Sequence, residues 1–246
     1  EELFQLLLVS EHASLSGKRS ESSLLAQRAR ELAGRQKLTQ IAAPSEAIEA
    51  SRLAEFGFLA EAHALAMRSA AKDEGLNVQS LAADVLAATG DEARAKTIVE
   101  KLAKKYPDDT LLRNIWLPTV RARIQLQRGA PGEAIETLGP ALRYELGMAW
   151  ETVPFRTIYL RGVTYLKLRQ GNEAAQEFKK IIDHRGVDAL SPYYALAQLG
   201  LGRAFAIADE RSRAQRAYEV FFSLWKDADG DVPALQQAKL EYATLH

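Results

Sequence analysis

The strongest constraint on this chain is a spacing that it writes twice. Gly162 is followed by Tyr165, Ala174, Phe178 and Ile181, and Gly202 by Phe205, Ala214, Tyr218 and Phe221. A small residue, an aromatic, a small residue, an aromatic and a bulky apolar residue recur at the same offsets. Steps of three and four residues place Gly162 and Tyr165 on one helical face, and Ala174, Phe178 and Ile181 on one face of the next helix. A small residue lets two helices approach closely, and an aromatic fills the groove beside that contact. One such hairpin cannot bury its apolar face alone, so neighbours must stack to bury it for one another.

The same template occurs four more times toward the N-terminus. Ala122, Ala134, Leu138 and Ala141 fit it, with Gln125 in place of the first aromatic. Ala83, Leu86, Ala95, Val99 and Leu102 fit, and Pro107 ends the second helix. Ala50, Leu53, Ala62 and Ala66 fit with small residues, and Ser10, Ala13, Ser22, Ala26 and Ala29 form the weakest copy. The copies begin at Ser10, Ala50, Ala83, Ala122, Gly162 and Gly202, at intervals of 40, 33, 39, 40 and 40 residues. Tetratricopeptide (TPR) units run to about 34 residues, so most of these copies carry longer helices or loops. The expected fold is all-α: a single TPR-like superhelical solenoid of about six antiparallel helix pairs. The pairs fall at approximately 1–36, 38–73, 75–107, 109–146, 152–186 and 190–227. A capping helix follows at 232–245, with Leu235, Ala238, Leu240 and Tyr242 on it.

Turn residues punctuate this scheme. Gly90-Asp91, Gly129-Ala130-Pro131, Gly171-Asn172 and Asp209 each stand where a second helix should begin. The segment from Leu146 to Pro154 reads as the longest internal loop, and Asp227 to Asp231 as a turn. Pro118 falls inside the apolar pattern of Leu112 to Leu126, so it should kink that helix or mark its start.

Composition narrows the kinds of work available. Lysine plus arginine and aspartate plus glutamate both number 32, so the basic excess of a nucleic-acid binder is missing. There is no cysteine, hence no disulfide and no thiolate metal site. The longest aliphatic run, Leu3 to Val9, is too short to insert across a bilayer. The chain begins at Glu1 without methionine or signal peptide and reads as a piece of something longer. His12, His63, His184 and His246 lie in different repeats without paired spacing, which disfavours metal ligation. Glu173, Glu177 and Lys180 read as helical ion pairs on a solvent face. Gly17-Lys18-Arg19-Ser20 has His12 where a phosphate-binding loop needs glycine. No cofactor is expected.

Several segments carry a family resemblance. They are Trp116-Leu117-Pro118-Thr119-Val120-Arg121-Ala122, Arg128-Gly129, Asp183-His184-Arg185-Gly186 and Leu224-Trp225-Lys226-Asp227-Ala228-Asp229. Lys239-Leu240-Glu241-Tyr242-Ala243 extends the last. From roughly Ala50 to the end, and most after Trp116, the chain resembles the C-terminal TPR region of large bacterial, eukaryotic-like serine/threonine protein kinases. Similar tails occur on winged-helix transcription regulators. The resemblance implies a sensor or scaffold segment, cytoplasmic, or extracytoplasmic where a membrane helix precedes the array. It implies no activity in this chain. His184-Arg185-Gly186 lacks the aspartate of a kinase catalytic loop, and Gly200-Leu201-Gly202 lacks the third glycine of a phosphate-covering loop. The chain itself is therefore expected to be non-enzymatic.

Binding should fall to the concave surface lined by the first helix of each pair. Residues six and three before the small template residue, and one and four after it, point there. They include Asn77, Ser80 and Asp84, then Trp116, Thr119, Arg123 and Leu126, then Arg156, Tyr159 and Val163, and finally Leu196, Leu199 and Arg203. Trp116, Arg123, Arg156, Tyr159 and Arg203 are the candidate site, because arginine and aromatics suit peptide and carboxylate contacts. The lysine/asparagine carboxylate clamp of chaperone-binding TPRs is not reproduced. The expected function is a protein- or peptide-interaction module, and the alternative is a small-molecule sensor. An open groove favours the first and a deep closed pocket the second.

Overall fold

The protein is described by a computed structural model that covers residues 1–147 and 155–245. All regular structure among the described residues is helical. Three hairpins come first: α1 (Glu2–Leu15) with α2 (Arg19–Arg35), α3 (Thr39–Phe56) with α4 (Leu59–Lys72), and α5 (Leu76–Ala88) with α6 (Glu92–Lys105). Three more follow: α7 (Leu117–Gln127) with α8 (Pro131–Leu138), α9 (Arg156–Lys167) with α10 (Gly171–Asp183), and α11 (Tyr193–Ile207) with α12 (Arg211–Leu224). Helix α13 (Pro233–Ala243) ends the described chain.

Packing follows the small residues of the template. Ala50, Ala62, Ala66, Ala83, Ala95, Ala122, Ala134, Ala174 and Ala214 are all fully buried, which fixes the register of every pair from α3 onward. Phe178 shows what the glycines are for. Its ring lies so close to α9 and α11 that a Cβ built on Gly162 or Gly200 would stand 2.7 or 2.5 Å from a ring carbon. Neither position has room for a methyl group.

Among the described residues one turn geometry is used seven times. Gly17, Lys37, Gly57, Gly90, Gly129, Arg169 and Asp209 each take a left-handed conformation, with φ between 57° and 99°. In every case the next residue's N–H donates to the carbonyl five residues before it, at 2.8–3.0 Å. This closing bond satisfies a carbonyl that the helix end leaves open. Asp91 adds a side-chain cap, accepting from the Arg94 N–H. The expectation for Gly171-Asn172 needs correction. Arg169 bears the left-handed residue of that turn, and Gly171 is the first residue of α10. A Cβ on Gly171 would lie 2.5 Å from the Ala204 carbonyl oxygen, so close approach to α11 selects the glycine.

Pro118 is the second residue of α7, so it stands at the start of the α-helical stretch, one of the two places its position allowed. A single π-helical turn, Leu112–Trp116, runs directly into α7 and leads up to the proline that has no N–H to donate. The Thr119 hydroxyl donates to the Ile115 carbonyl at 2.6 Å beside it. The expected loop from Leu146 to Pro154 lies largely outside the described residues, as does His246.

The odd-numbered helices form an inner row. α3 packs on α5, α5 on α7, α7 on α9 and α9 on α11. Their middle stretches are buried almost continuously, as in Val78–Ala87 and Arg156–Gly162. α6, α10 and α12, by contrast, keep one exposed face, as amphipathic outer helices do. The row then closes on itself, with α11 against α1 and α13 against α3.

Closure is made by a specific seam. The Trp225 indole N–H donates to the Leu15 carbonyl at 3.1 Å, and the Phe56 ring meets the Trp225 ring edge-on at 5.0 Å. The Asp229 N–H donates to the Gly17 carbonyl at 3.2 Å. In return the Asp229 carboxylate accepts the Ser20 N–H at 2.6 Å. An acid near the C-terminal end thus caps α2, a helix near the N-terminus. Gly17 is held here twice over, by φ of +71° and by lying under the Trp225 ring. The expected cap, α13, therefore has partners on two sides. Leu235 and Ala238 are buried and Tyr242 packs on Tyr218 and Phe222, whereas Leu240 is exposed.

Candidate functional site

Closure leaves a cavity of about 890 Å³ between α1, α3, α5 and the segment leading into α11. Helical spacing brings its wall together. Phe4, Leu7, Leu8 and Glu11 share one face of α1, and Ile41, Pro44, Ile48, Arg52 and Glu55 share one face of α3. Asn77, Val78 and Leu81 of α5, with Val187, Asp188 and Tyr193, complete it. Most of this surface is aliphatic, with a few polar groups set into it.

Beneath the cavity lies a buried ionic network. Arg123 donates to both oxygens of Asp84, at 3.1 Å each, and to Glu55 at 2.8 Å. Arg156 stands 3.6 Å from the same Asp84 carboxylate, with its guanidinium over the Trp116 ring at 4.4 Å. Among the described residues none of the three Arg156 nitrogens has a hydrogen-bond partner, and the buried Tyr193 hydroxyl has none either. Burial works to raise the Asp84 carboxyl, but Arg123 and Arg156 outweigh it and hold the group below its ordinary value. Burial lowers Arg156, with Asp84 only partly offsetting it. Burial and the nearby Glu55 charge push Tyr193 well up. Breaking a pair in such a network leaves an uncompensated interior charge and costs about 3–5 kcal/mol.

The five sequence-derived site residues do not share an open concave surface. Trp116, Arg156 and Tyr159 are buried in the core, and the Arg123 side chain is only 11% exposed. Arg203 stands apart, half-buried, and donates to Glu241 of α13 at 2.8 Å. Each arginine faces an acid of this same chain. The physical reason is closure: with the inner row joined end to end, these inner faces meet other helices instead of solvent. Ser80, Asp84, Thr119, Leu196 and Leu199 are buried for the same reason. Asn77 alone of the wider inner-face set lines the cavity.

Glu177 also departs from the solvent-face expectation. It is buried and accepts from Arg161 at 2.6 Å, while Arg161 makes two further bonds to Glu145 at 2.7 and 2.9 Å. This second buried cluster ties α9 and α10 to the segment after α8. His63 bonds Asp91 at 3.0 Å, and His184 bonds the Lys180 carbonyl at the end of α10.

Several cavity residues were reachable from the sequence. The inner-face offsets, applied one repeat earlier to Ala50, select Pro44 and Ser51, and both line the cavity. Arg52 and Glu55 follow on the same face. Asp188 and Tyr193 carry no repeat signal, since they belong to the connection between pairs.

Among the described residues no helix is long and apolar enough to cross a membrane. Compared with models of known protein families the sequence matches none, and comparison with curated protein sequences gives no match either.

Proposed function

We propose that this chain is a TPR-type superhelical receptor module that holds a compact, mainly apolar ligand in its central cavity and performs no chemistry of its own. The observation that carries this reading is the cavity itself, whose volume of about 890 Å³ fits the usual range for small-molecule sites. Its wall is preformed by rigid helices and relieved by few polar groups. A peptide groove has less support, because the arginines and aromatics meant to line it are spent on contacts within the chain. Following the resemblance to kinase and regulator tails, the module serves as the sensing part of a larger signalling protein. Ligand binding would then act by stabilising the closed arrangement over an opened one.

Nile red, a neutral dye whose emission rises and shifts to the blue in apolar surroundings, tests this directly. The whole chain should take up the dye with saturable emission. Ile48→Trp, which fills the cavity from α3, should abolish the response without lowering the melting temperature. Val78→Phe fills it from α5 and guards against misfolding of the first variant. No dye response in the wild type, or an equal response in two well-folded filled variants, contradicts the reading.

A further inference from the structure

The cavity carries charges that no ion pair among the described residues engages. Arg52 lines it from α3, and among the described residues it has no ion pair. The acids on its own helix are already engaged: Glu46 by Lys72 at 2.8 Å, Glu49 by Arg30 at 2.6 Å and Glu55 by Arg123 at 2.8 Å. Glu11 from α1 and Asp188 from the connection before α11 line the same cavity, and neither is in an ion pair among the described residues. Glu11 feels the charge of each of the other two. Burial raises the Glu11 carboxyl, Arg52 opposes that rise and Asp188 adds to it. Burial likewise lowers Arg52, with the Glu49 and Glu11 charges opposing it, and burial raises Asp188 against hydrogen bonding from Ser191 and the Leu190 backbone. Tyr193 also lines the wall; it is a buried residue, and its hydroxyl, which has no hydrogen-bond partner among the described residues, feels the charges of the network beneath.

Charge complementarity decides what fits. An anion alone would satisfy Arg52 but would face two carboxylates. A cation alone would satisfy the carboxylates and leave a desolvated guanidinium unpaired. A neutral molecule would strip water from Arg52 and Glu11 and give neither a hydrogen-bonding group in return, leaving them only the charges of each other and of Glu49. Only a head bearing both signs answers every group. Building on the cavity reading above, we propose that Arg52, Glu11 and Asp188 form a head-group site for an amphiphile of the α-amino-acid class. Its carboxylate lies on Arg52, its primary ammonium on Glu11 and Asp188, and its apolar tail runs along Ile48, Val78 and Leu81. Arginine supplies paired donors that match a carboxylate. The two acids supply acceptors for ammonium hydrogens. Quaternary ammonium groups are instead recognised by aromatic cages, and among the described residues the aromatics on this wall are Phe4 and Tyr193.

The test keeps the tail constant and changes the head. Displacement of Nile red from the whole chain is measured with 2-aminododecanoic acid, dodecanoate, dodecylamine, dodecanol and dodecylphosphocholine, all below their micellar concentrations. The amino acid should bind about tenfold more tightly than either singly charged probe. Arg52→Gln should erase its advantage over dodecylamine. The double variant Glu11→Gln/Asp188→Asn should erase its advantage over dodecanoate. Dodecanol affinity should be the same in all variants, which also reports that they fold. Equal affinities across the heads would overturn the head-group site while leaving the cavity reading standing, and so would dodecanoate or dodecylphosphocholine as the tightest binder. If none of the probes displaces the dye, or the dye itself does not bind, both readings fail.

Discussion

Replacing Phe178 by alanine should be among the most damaging single changes available to this fold. The ring is fully buried and lies between Gly162 of α9 and Gly200 of α11, with Tyr159 at 5.7 Å between ring centroids. Large aromatic-to-alanine changes in a core cost about 3–5 kcal/mol. The upper part of that range is expected here, because the flanking glycines have no side chains that could relax into the void. The converse change makes the argument sharper. Gly200→Ala would place a methyl carbon 2.5–2.7 Å from three Phe178 ring carbons, an overpacking that costs about 1–3 kcal/mol. In the Phe178→Ala background the same methyl has space, and alanine's helix preference should make Gly200→Ala stabilising by about 1 kcal/mol. Urea denaturation of the four proteins in a double-mutant cycle should therefore give a coupling of about 2–4 kcal/mol. Additive effects, or a loss below about 1 kcal/mol for Phe178→Ala, would show that α9, α10 and α11 do not pack in this register.

Three further outcomes follow from the same contacts. Asp229→Ala removes the acceptor of the Ser20 N–H and should cost about 1 kcal/mol, seen as faster amide exchange at Ser20 and Asp229 but not around Phe178. Hydrogen bonds from His63 and Arg94 hold the Asp91 carboxyl at about 2, below the ordinary 3.8. A depressed folded value stabilises the protein above the ordinary value and is lost as the pH falls through the folded one. The wild type's melting-temperature advantage over Asp91→Asn should therefore be full at about pH 5 and shrink toward pH 2. Truncation before Asp231 removes α13, uncovers Tyr218 and Phe222 and deprives Arg203 of Glu241. The shortened chain should melt lower and self-associate in sedimentation velocity, since an uncovered terminal face promotes aggregation.

The helical pattern was legible because it rests on local spacing. The doubled Gly162 and Gly202 sentences specify which residues share a face, and Ala174, Phe178, Ala214 and Tyr218 are buried as that spacing requires. Closure was not legible. It depends on Trp225 meeting Leu15 and on Asp229 meeting Ser20, contacts between chain ends that no periodicity encodes. The candidate site failed at that same point. Trp116, Arg123, Arg156 and Tyr159 do face inward, but in a closed row inward means buried. Turn glycines misled for a related reason, since Gly171 answers to a neighbouring helix and not to its own turn. Arg52 escaped notice because a lone arginine on a helix looks like a solvent-facing one until the acids around it are seen to be taken.

The central claim is that the first hairpin meets the last pair and so walls one side of the cavity. The Trp225 indole and Gly17 give the most direct measurement, by nuclear Overhauser contacts in the intact chain. A Cβ on Gly17 would lie 2.8 Å from the indole ring, so the glycine α-proton in that direction faces the ring closely. The account requires strong cross-peaks between the Trp225 ring protons and that Gly17 α-proton, with that α-proton shifted upfield by the ring. A well-folded chain without those cross-peaks, and with Gly17 at ordinary shifts, would mean an open array without this cavity.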